Sequence, residues 1–219
     1  EASVRIADES GKIKLSAAPR GTEDGKAILA LLRRLFDYLS RHEPSRGAKW
    51  NGIAQAVFAR LGATPSLSTL DAFREAGLTP DQVFGPQGLA RYLTCFGNGT
   101  VNVNTAPRGV LWAVLDGASE DMVDRIASFR GPSEGRPGSY TPFEEPRDLL
   151  KIDGIVLGKM GERGTPAAGN LPATIQGLLA TQTSAYAVHI EARAGERKRE
   201  AWVFLSPQGE RLAYEEIEP

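Results

Sequence analysis

The chain has 219 residues, with 26 Lys+Arg against 27 Asp+Glu and a formal net charge of −1. Hydrophobic residues at 41% are ample for a buried core and charged residues at 24% are ordinary, which excludes a disordered or collagen-like chain. The near-neutral balance also lacks the basic surplus that phosphate neutralisation on nucleic acid requires.

In chain order, Val4 and Ile6 alternate with polar neighbours, Glu9-Ser10-Gly11 supplies a turn, and Lys12-Ile13-Lys14-Leu15 alternates again, which predicts a hairpin. Ala27, Leu31, Leu35 and Leu39 then recur at four-residue steps beside Ile28, Leu32 and Phe36, predicting an amphipathic helix over 22–41 that Pro44 and Gly47 end. Further helices are predicted over 50–61, 68–76, 80–93, 106–116, 119–129, 145–151 and 171–181, with Gly-, Pro- and Ser-rich loops over 131–142 and 161–166. At the far end Tyr186, Val188, Ile190 and Ala192 face one way and His189, Glu191 and Arg193 the other. Residues 201–205 and 211–217 complete a predicted antiparallel meander. The longest apolar runs, 110–115 and 201–205, fall far short of the roughly 18–20 residues of a spanning helix. The chain opens Glu1-Ala2-Ser3 with neither Met nor a signal-peptide pattern, so a removed segment ahead of it is expected. The single cysteine, Cys95, excludes an intrachain disulfide and leaves the redox compartment open.

An internal repeat is visible. Residues 12–21, ending Ala18-Pro19-Arg20-Gly21, align with residues 100–109, ending Ala106-Pro107-Arg108-Gly109, at an offset of 88. Pro65, Asp71, Phe73, Arg74, Gly77 and Leu78 match Pro142, Asp148, Leu150, Lys151, Gly154 and Ile155 at an offset of 77. Two copies, over about 12–85 and 100–160, thus each run from a short β segment through capped helices to a Gly-aliphatic turn. Ser16 and Asn104 are placed to accept from a free N–H in the first turn of a helix, where Pro19 and Pro107 cost no hydrogen bond. Gly77 and Gly154 sit where a tight turn asks for positive φ.

Paired helices joined by Gly-aliphatic turns raise the alternative of a helix-hairpin-helix module that holds nucleic-acid phosphates. Its candidates are Gly77-Leu78-Thr79, Gly117-Ala118-Ser119 and Gly154-Ile155-Val156, none of which has the second glycine that lets backbone amides approach a phosphate. Asp116, Glu120, Asp121 and Asp153 beside them would repel an anion. No Gly-x-Ser-x-Gly turn accompanies His42 or His189, Cys95 reads as a small buried hydrophobe, and two histidines with one cysteine build no usual zinc site, so no catalytic residue is assigned and no enzyme is expected. Acidic pairs at Glu23-Asp24, Glu120-Asp121 and Glu144-Glu145 leave the metal question open, because no Asp-x-Asp-x-Asp-Gly loop accompanies them. The run Arg197-Lys198-Arg199, flanked by Glu196 and Glu200, reads as a solvated hairpin edge.

The stretch Val101-Asn102-Val103-Asn104-Thr105-Ala106-Pro107, followed by Val110-Leu111, resembles the signature of the general secretion pathway protein K family, minor pseudopilins of type II secretion. The run from Ser68-Thr69-Leu70-Asp71 to Arg91-Tyr92-Leu93-Thr94, then Arg130, Pro142-Phe143 and Asp148-Leu149-Leu150, resembles the family before and after that signature. The opening Asp8-Glu9-Ser10-Gly11-Lys12-Ile13 resembles its start, so the likeness covers nearly the whole chain. Where the family commonly has Leu-Asn this chain has Leu15-Ser16, which keeps a capping residue.

The resemblance implies an α+β fold. A pilin-like antiparallel body over 1–21 and 184–219 would carry an inserted all-α domain over 22–183 made of the two repeats, which are SAM-like or helix-hairpin-helix-like. It implies a hydrophobic anchor helix ahead of Glu1, so that this chain is the periplasmic domain of an inner-membrane protein. It further implies I- and J-type minor pseudopilins as partners at a pseudopilus tip, with no nucleic acid and no small-molecule substrate. No cofactor is required. Calcium is reported in the family, and no ligand for it is carried over to this chain. The charge balance predicts that the protein shows no salt-dependent retention on duplex DNA; binding that falls steeply between low and moderate salt would instead establish the nucleic-acid reading.

Overall fold

The computed structural model describes residues 2–15, 23–42, 47–63, 67–115, 118–131, 142–152, 177–195 and 197–217. Strand β1 (Ala2–Asp8) pairs antiparallel with β6 (Tyr186–Ala194), which pairs with β7 (Arg197–Leu205), which pairs with β8 (Arg211–Ile217). The sheet order is β1-β6-β7-β8. The predicted C-terminal meander is therefore present, and the N-terminal strand closes onto it.

The predicted N-terminal hairpin is not formed. After Asp8 the chain makes a 3-10 turn, Glu9–Gly11, and strand β2 (Ile13–Lys14) leaves the sheet to pair in parallel with β3 (Leu93–Thr94). Among the described residues the sheet's N-terminal share is β1, which ends at Asp8. Glu9 and Ser10 are buried, Glu9 in an ion pair with Lys12, so the turn is an inward crossing rather than a solvent hairpin tip. Gly11 is required there: a Cβ would lie 2.8 Å from Thr105 Oγ1 and 2.9 Å from the Thr105 carbonyl carbon.

Between the sheet strands lies a mainly helical unit. Helix α1 (Glu23–His42) buries Leu31, Leu32, Leu35, Phe36 and Leu39 on the stripe that the spacing predicts. It packs on α2 (Gly47–Ala63), through Trp50, Ile53 and Val57, and on α5 (Arg108–Val114), through Val110 and Leu111. Rings of Phe36, Trp50 and Phe58 meet in tilted and edge-on pairs at 5.9–6.2 Å. Helix α6 (Glu120–Phe129) follows, its first turn capped by Ser119 Oγ accepting from the Met122 N–H.

Several predicted helices are shorter than their periodicity implies. The 68–76 segment keeps only α3 (Ala72–Glu75). The 80–93 segment divides into α4 (Pro80–Phe84), a 3-10 turn at Leu89–Arg91 and strand β3. Gly85-Pro86-Gln87-Gly88 interrupts it, and Pro86 has no N–H to continue a helix. Residues 145–151 form a 3-10 turn, Pro146–Lys151. The predicted 171–181 helix is corrected over its described part, where residues 177–178 turn and Leu179–Ala180 is strand β5. The unit is therefore not purely helical. Most of the two predicted loops, and Ser16, Pro19 and Gly154, lie outside the described residues.

Strand β4 (Val101–Asn102) pairs in parallel with β5, just as β2 pairs with β3. The bonds correspond one to one. Ile13 N–H donates to Tyr92 O at 2.9 Å and Leu15 N–H to Thr94 O at 2.8 Å; Val101 N–H donates to Leu178 O at 2.7 Å and Val103 N–H to Ala180 O at 2.9 Å. The donor strands are 88 residues apart, the offset of the sequence repeat, and the acceptor strands 86. Parallel partners need a crossover, and in each case helices provide it.

The Gly11 contact yields a stability prediction. Gly11→Ala is expected to destabilise the fold by about 1–3 kcal/mol, because its methyl group meets backbone of the 101–107 segment that cannot swing aside. A lowered urea midpoint at unchanged m-value is the readout; an unchanged midpoint would show that the two segments do not meet this closely.

Candidate functional site

Two features stand out for function: the polar junction built by residues 101–107, and the apolar outer face of the sheet. The junction starts from Asn102, buried beside Val101 and Val103. Its Oδ1 accepts from the Asn104 N–H at 3.0 Å, an Asx turn that ends β4. Its Nδ2 donates to Asp8 Oδ2 at 2.8 Å, and the Thr105 hydroxyl donates to the same oxygen at 2.6 Å. Asp8 Oδ1 accepts from the Ser10 N–H at 2.8 Å. The carboxylate at the end of β1 is thus shared between its own turn and the 101–107 segment. Ser10 Oγ in turn accepts from the Ser184 N–H at 2.7 Å, on the approach to β6.

Asn104 does not cap α5, contrary to expectation. Its Oδ1 accepts from the Phe143 N–H at 2.8 Å, and its Nδ2 donates to the carbonyls of Phe143 at 3.0 Å and Thr181 at 3.2 Å. Pro107 occupies the residue before α5 without any side-chain cap. The reason is local: the Asx turn aims the Asn104 amide away from the helix and towards two neighbouring chain segments. Ala106 is fully buried, and its N–H donates to Asn102 O at 2.9 Å.

Arg130, only 2% exposed at the end of α6, donates from its two terminal nitrogens to the carbonyls of Val103 and Ala106, each at 2.6 Å. Charge-assisted bonds of this kind satisfy carbonyls that no ladder reaches. One seven-residue stretch thereby ties together β1, the Phe143 segment, the strand after Leu178 and the end of α6. Asp8, Arg130 and Phe143 are prominent in the sequence only as positions of the resemblance. Thr181 and Ser184 carry no sequence signal, because they contribute backbone groups and small hydroxyls.

Gly77 takes φ of 86°, as its turn requires. The Gly77-Leu78-Thr79 turn leads into α4, where Thr79 Oγ1 accepts from the Gln82 N–H and the Gln82 side chain accepts from the Thr79 N–H. This capping box already uses amides that a phosphate would need.

The titratable candidates are dispersed. His42 stacks on Tyr38 at 4.0 Å and meets Glu120 Oε1 at 2.9 Å. His189 stacks on Trp202 at 4.5 Å, and Cys95 is buried. The acidic pairs face cations: Asp121 meets Arg125 and Glu145 meets Arg147. Lys151 and the amides of Glu145 and Glu144 hold the Asp148 carboxyl below the usual carboxylate range. Among the described residues no cluster of three His, Cys, Asp or Glu is placed to hold a metal ion; the side chains of Glu23 and Asp24 lie outside the description. Lys198 of the basic run pairs with Glu191 and Glu200, and Arg199 with Glu216. A crevice of about 20 Å³ under Trp202 and Phe204 has room for about one water.

The two faces of the sheet differ. Ala187 and Phe204 are buried towards the helical unit, where Phe204 stacks on Phe96 at 3.9 Å. On the other face the register aligns Ile6, Val188, Val203 and Tyr214 in one row and Val4, Ile190 and Ala201 in the next. Val4 and Ile6 are 61% and 70% exposed and Tyr214 is 52% exposed, so this face carries an exposed apolar row, bordered by the Arg199–Glu216 ion pair, that no described residue covers.

Asn104→Ala is expected to cost about 2 kcal/mol, since it strands the buried N–H and C=O groups that the amide satisfies. Denaturant titration measures it, and a loss below about 0.5 kcal/mol would remove Asn104 from the framework of the junction.

No family model and no curated protein matches the chain. A solved structure does: a chain of the GspK-GspI-GspJ complex of the type 2 secretion system of enterotoxigenic Escherichia coli. The TM-score is 0.56 and the identity 13%, over 100% of this chain and 80% of that one. At such identity the likeness is one of fold, and the α+β architecture built on this junction is shared, end to end, with a chain of a secretion complex.

Proposed function

We propose that the protein is a K-type minor pseudopilin of type II secretion, a structural subunit that acts by association rather than by catalysis. The observation that carries the reading is the end-to-end fold likeness to a chain of the GspK-GspI-GspJ complex. It agrees with the resemblance of the Val101–Pro107 segment, which is drawn from sequence independently of fold. The discontinuous body, in which β1 and β6 to β8 form one sheet while residues 9–185 leave and return, supports a pilin-like core carrying an insertion. The matched parallel ladders, displaced by 88 and 86 residues, support two SAM-like repeats within that insertion.

In this reading the uncovered sheet face of Val4, Ile6, Val188 and Val203 is where an apolar helix or neighbouring subunit packs. The helical unit crowns the assembly at its tip and blocks a further subunit from stacking above. The resemblance adds a membrane-anchoring helix ahead of Glu1 and a periplasmic setting. The mechanism is steric and asks for no cofactor, and calcium stays an implication of the resemblance with no ligand named.

Pull-down with the soluble domains of I- and J-type minor pseudopilins, each at about 10 µM, tests the reading. A co-purifying complex is expected; the absence of any complex at that concentration would count decisively against it.

A further inference from the structure

Among the described residues no strand pairs with the outer edge of β1. The Glu9 N–H donates to Ala185 O at 3.0 Å, in the register that pairs Asp8 with Tyr186. Antiparallel partners alternate between bonded and non-bonded pairs, so Ser3, Arg5 and Ala7 turn their main-chain groups to β6. Ala2, Val4 and Ile6 therefore aim their N–H and C=O groups outwards, and among the described residues no strand receives them. Edge strands are ordinarily guarded by proline, a bulge or closely spaced charge. The opposite edge has such guards: β8 shifts register opposite Phe204/Leu205 and carries Glu215-Glu216 in sequence. Strand β1, Ala-Ser-Val-Arg-Ile-Ala-Asp, has regular register, no proline and one cation.

That cation is Arg5. It is exposed and has no hydrogen-bond or ion-pair partner among the described residues. The acid nearest to it by register, Glu191, is taken by Arg193 and Lys198. We propose that the β1 edge receives an extended strand of a partner protein, apolar at alternate residues and carrying a carboxylate opposite Arg5. This rests on the reading of the chain as an assembly subunit. Such a strand would use the outward groups of Ala2, Val4 and Ile6, and its apolar residues would extend the row of Ile6, Val188 and Val203. A second β1 does not supply this chemistry, because its one carboxylate, Asp8, is already bound by Ser10, Asn102 and Thr105.

The test is fluorescence polarisation with a short labelled peptide of alternating valine and threonine bearing one central glutamate. It is expected to bind the wild-type protein. Val4→Pro removes one outward N–H while leaving the β6 ladder intact, and should weaken binding at least about tenfold. Ile6→Lys, at an exposed site, should do the same and guards against misfolding of the proline variant. Arg5→Glu should reverse the preference, favouring a peptide with central lysine over the glutamate form. Absence of binding to the wild type, or binding indifferent to all three substitutions, would overturn the proposal. Self-association of the protein that Val4→Pro dissolves would give the edge to a second copy and overturn the partner assigned. The peptide assay uses no pseudopilin domain, so its failure is separable from failure of the pull-down.

Discussion

The Asp8 carboxylate is where the sheet and the helical unit become one structure. It ends β1, and both its oxygens are bonded: one to the Ser10 amide of the next turn, the other to Asn102 and Thr105 more than ninety residues on. A carboxylate leaving water incurs a large desolvation cost unless its lone pairs are met, and here three donors meet them. The same bonds fix the direction in which the chain leaves the sheet. The rest follows from that direction, because Glu9–Gly11 is then forced against Thr105 with space only for a glycine at 11.

From that node the polar groups of the 101–107 segment are satisfied in relay. Asn102 holds Asp8, Asn104 holds the Phe143 and Thr181 backbones, and Arg130 holds the Val103 and Ala106 carbonyls. Each link crosses between segments distant in sequence. A network of this kind does not drive folding, since each bond replaces one to water. What it specifies is register, because any slip would leave buried polar groups unpaired. The driving force comes from the apolar contacts of α1 with α2 and α5, which the junction merely aligns.

The two sheet faces differ in what covers them. The face bearing Ala187 and Phe204 is covered by the chain itself, through Phe96, while the face bearing Ile6, Val188, Val203 and Tyr214 has no cover among the described residues. An apolar face with an adjacent unguarded edge is an aggregation hazard for an isolated domain and an asset for a subunit. The near-zero net charge is compatible with packing among other protein surfaces.

Much of this was legible in the residues. The four-residue steps from Ala27 to Leu39 determine α1, the alternation of Tyr186, Val188 and Ile190 determines β6, and the 88-residue repeat anticipates the paired parallel ladders. These are long local periodicities, and a period sustained over several turns or a whole strand is the strongest signal a sequence carries. Two-residue strands such as β2 and β5 have no period to read, so a hairpin was expected where Ile13–Lys14 crosses to Leu93, and a helix where Leu179–Ala180 pairs with β4. The Asn104 amide likewise looks like a cap in sequence and becomes a clamp only when Phe143 and Thr181 are brought beside it. The sequence by itself therefore determined the long periodic elements and the 88-residue correspondence between β2 and β4. Tertiary structure alone decided which polar side chain serves which backbone group and which strand edge stays open, because those choices depend on neighbours that no local pattern records.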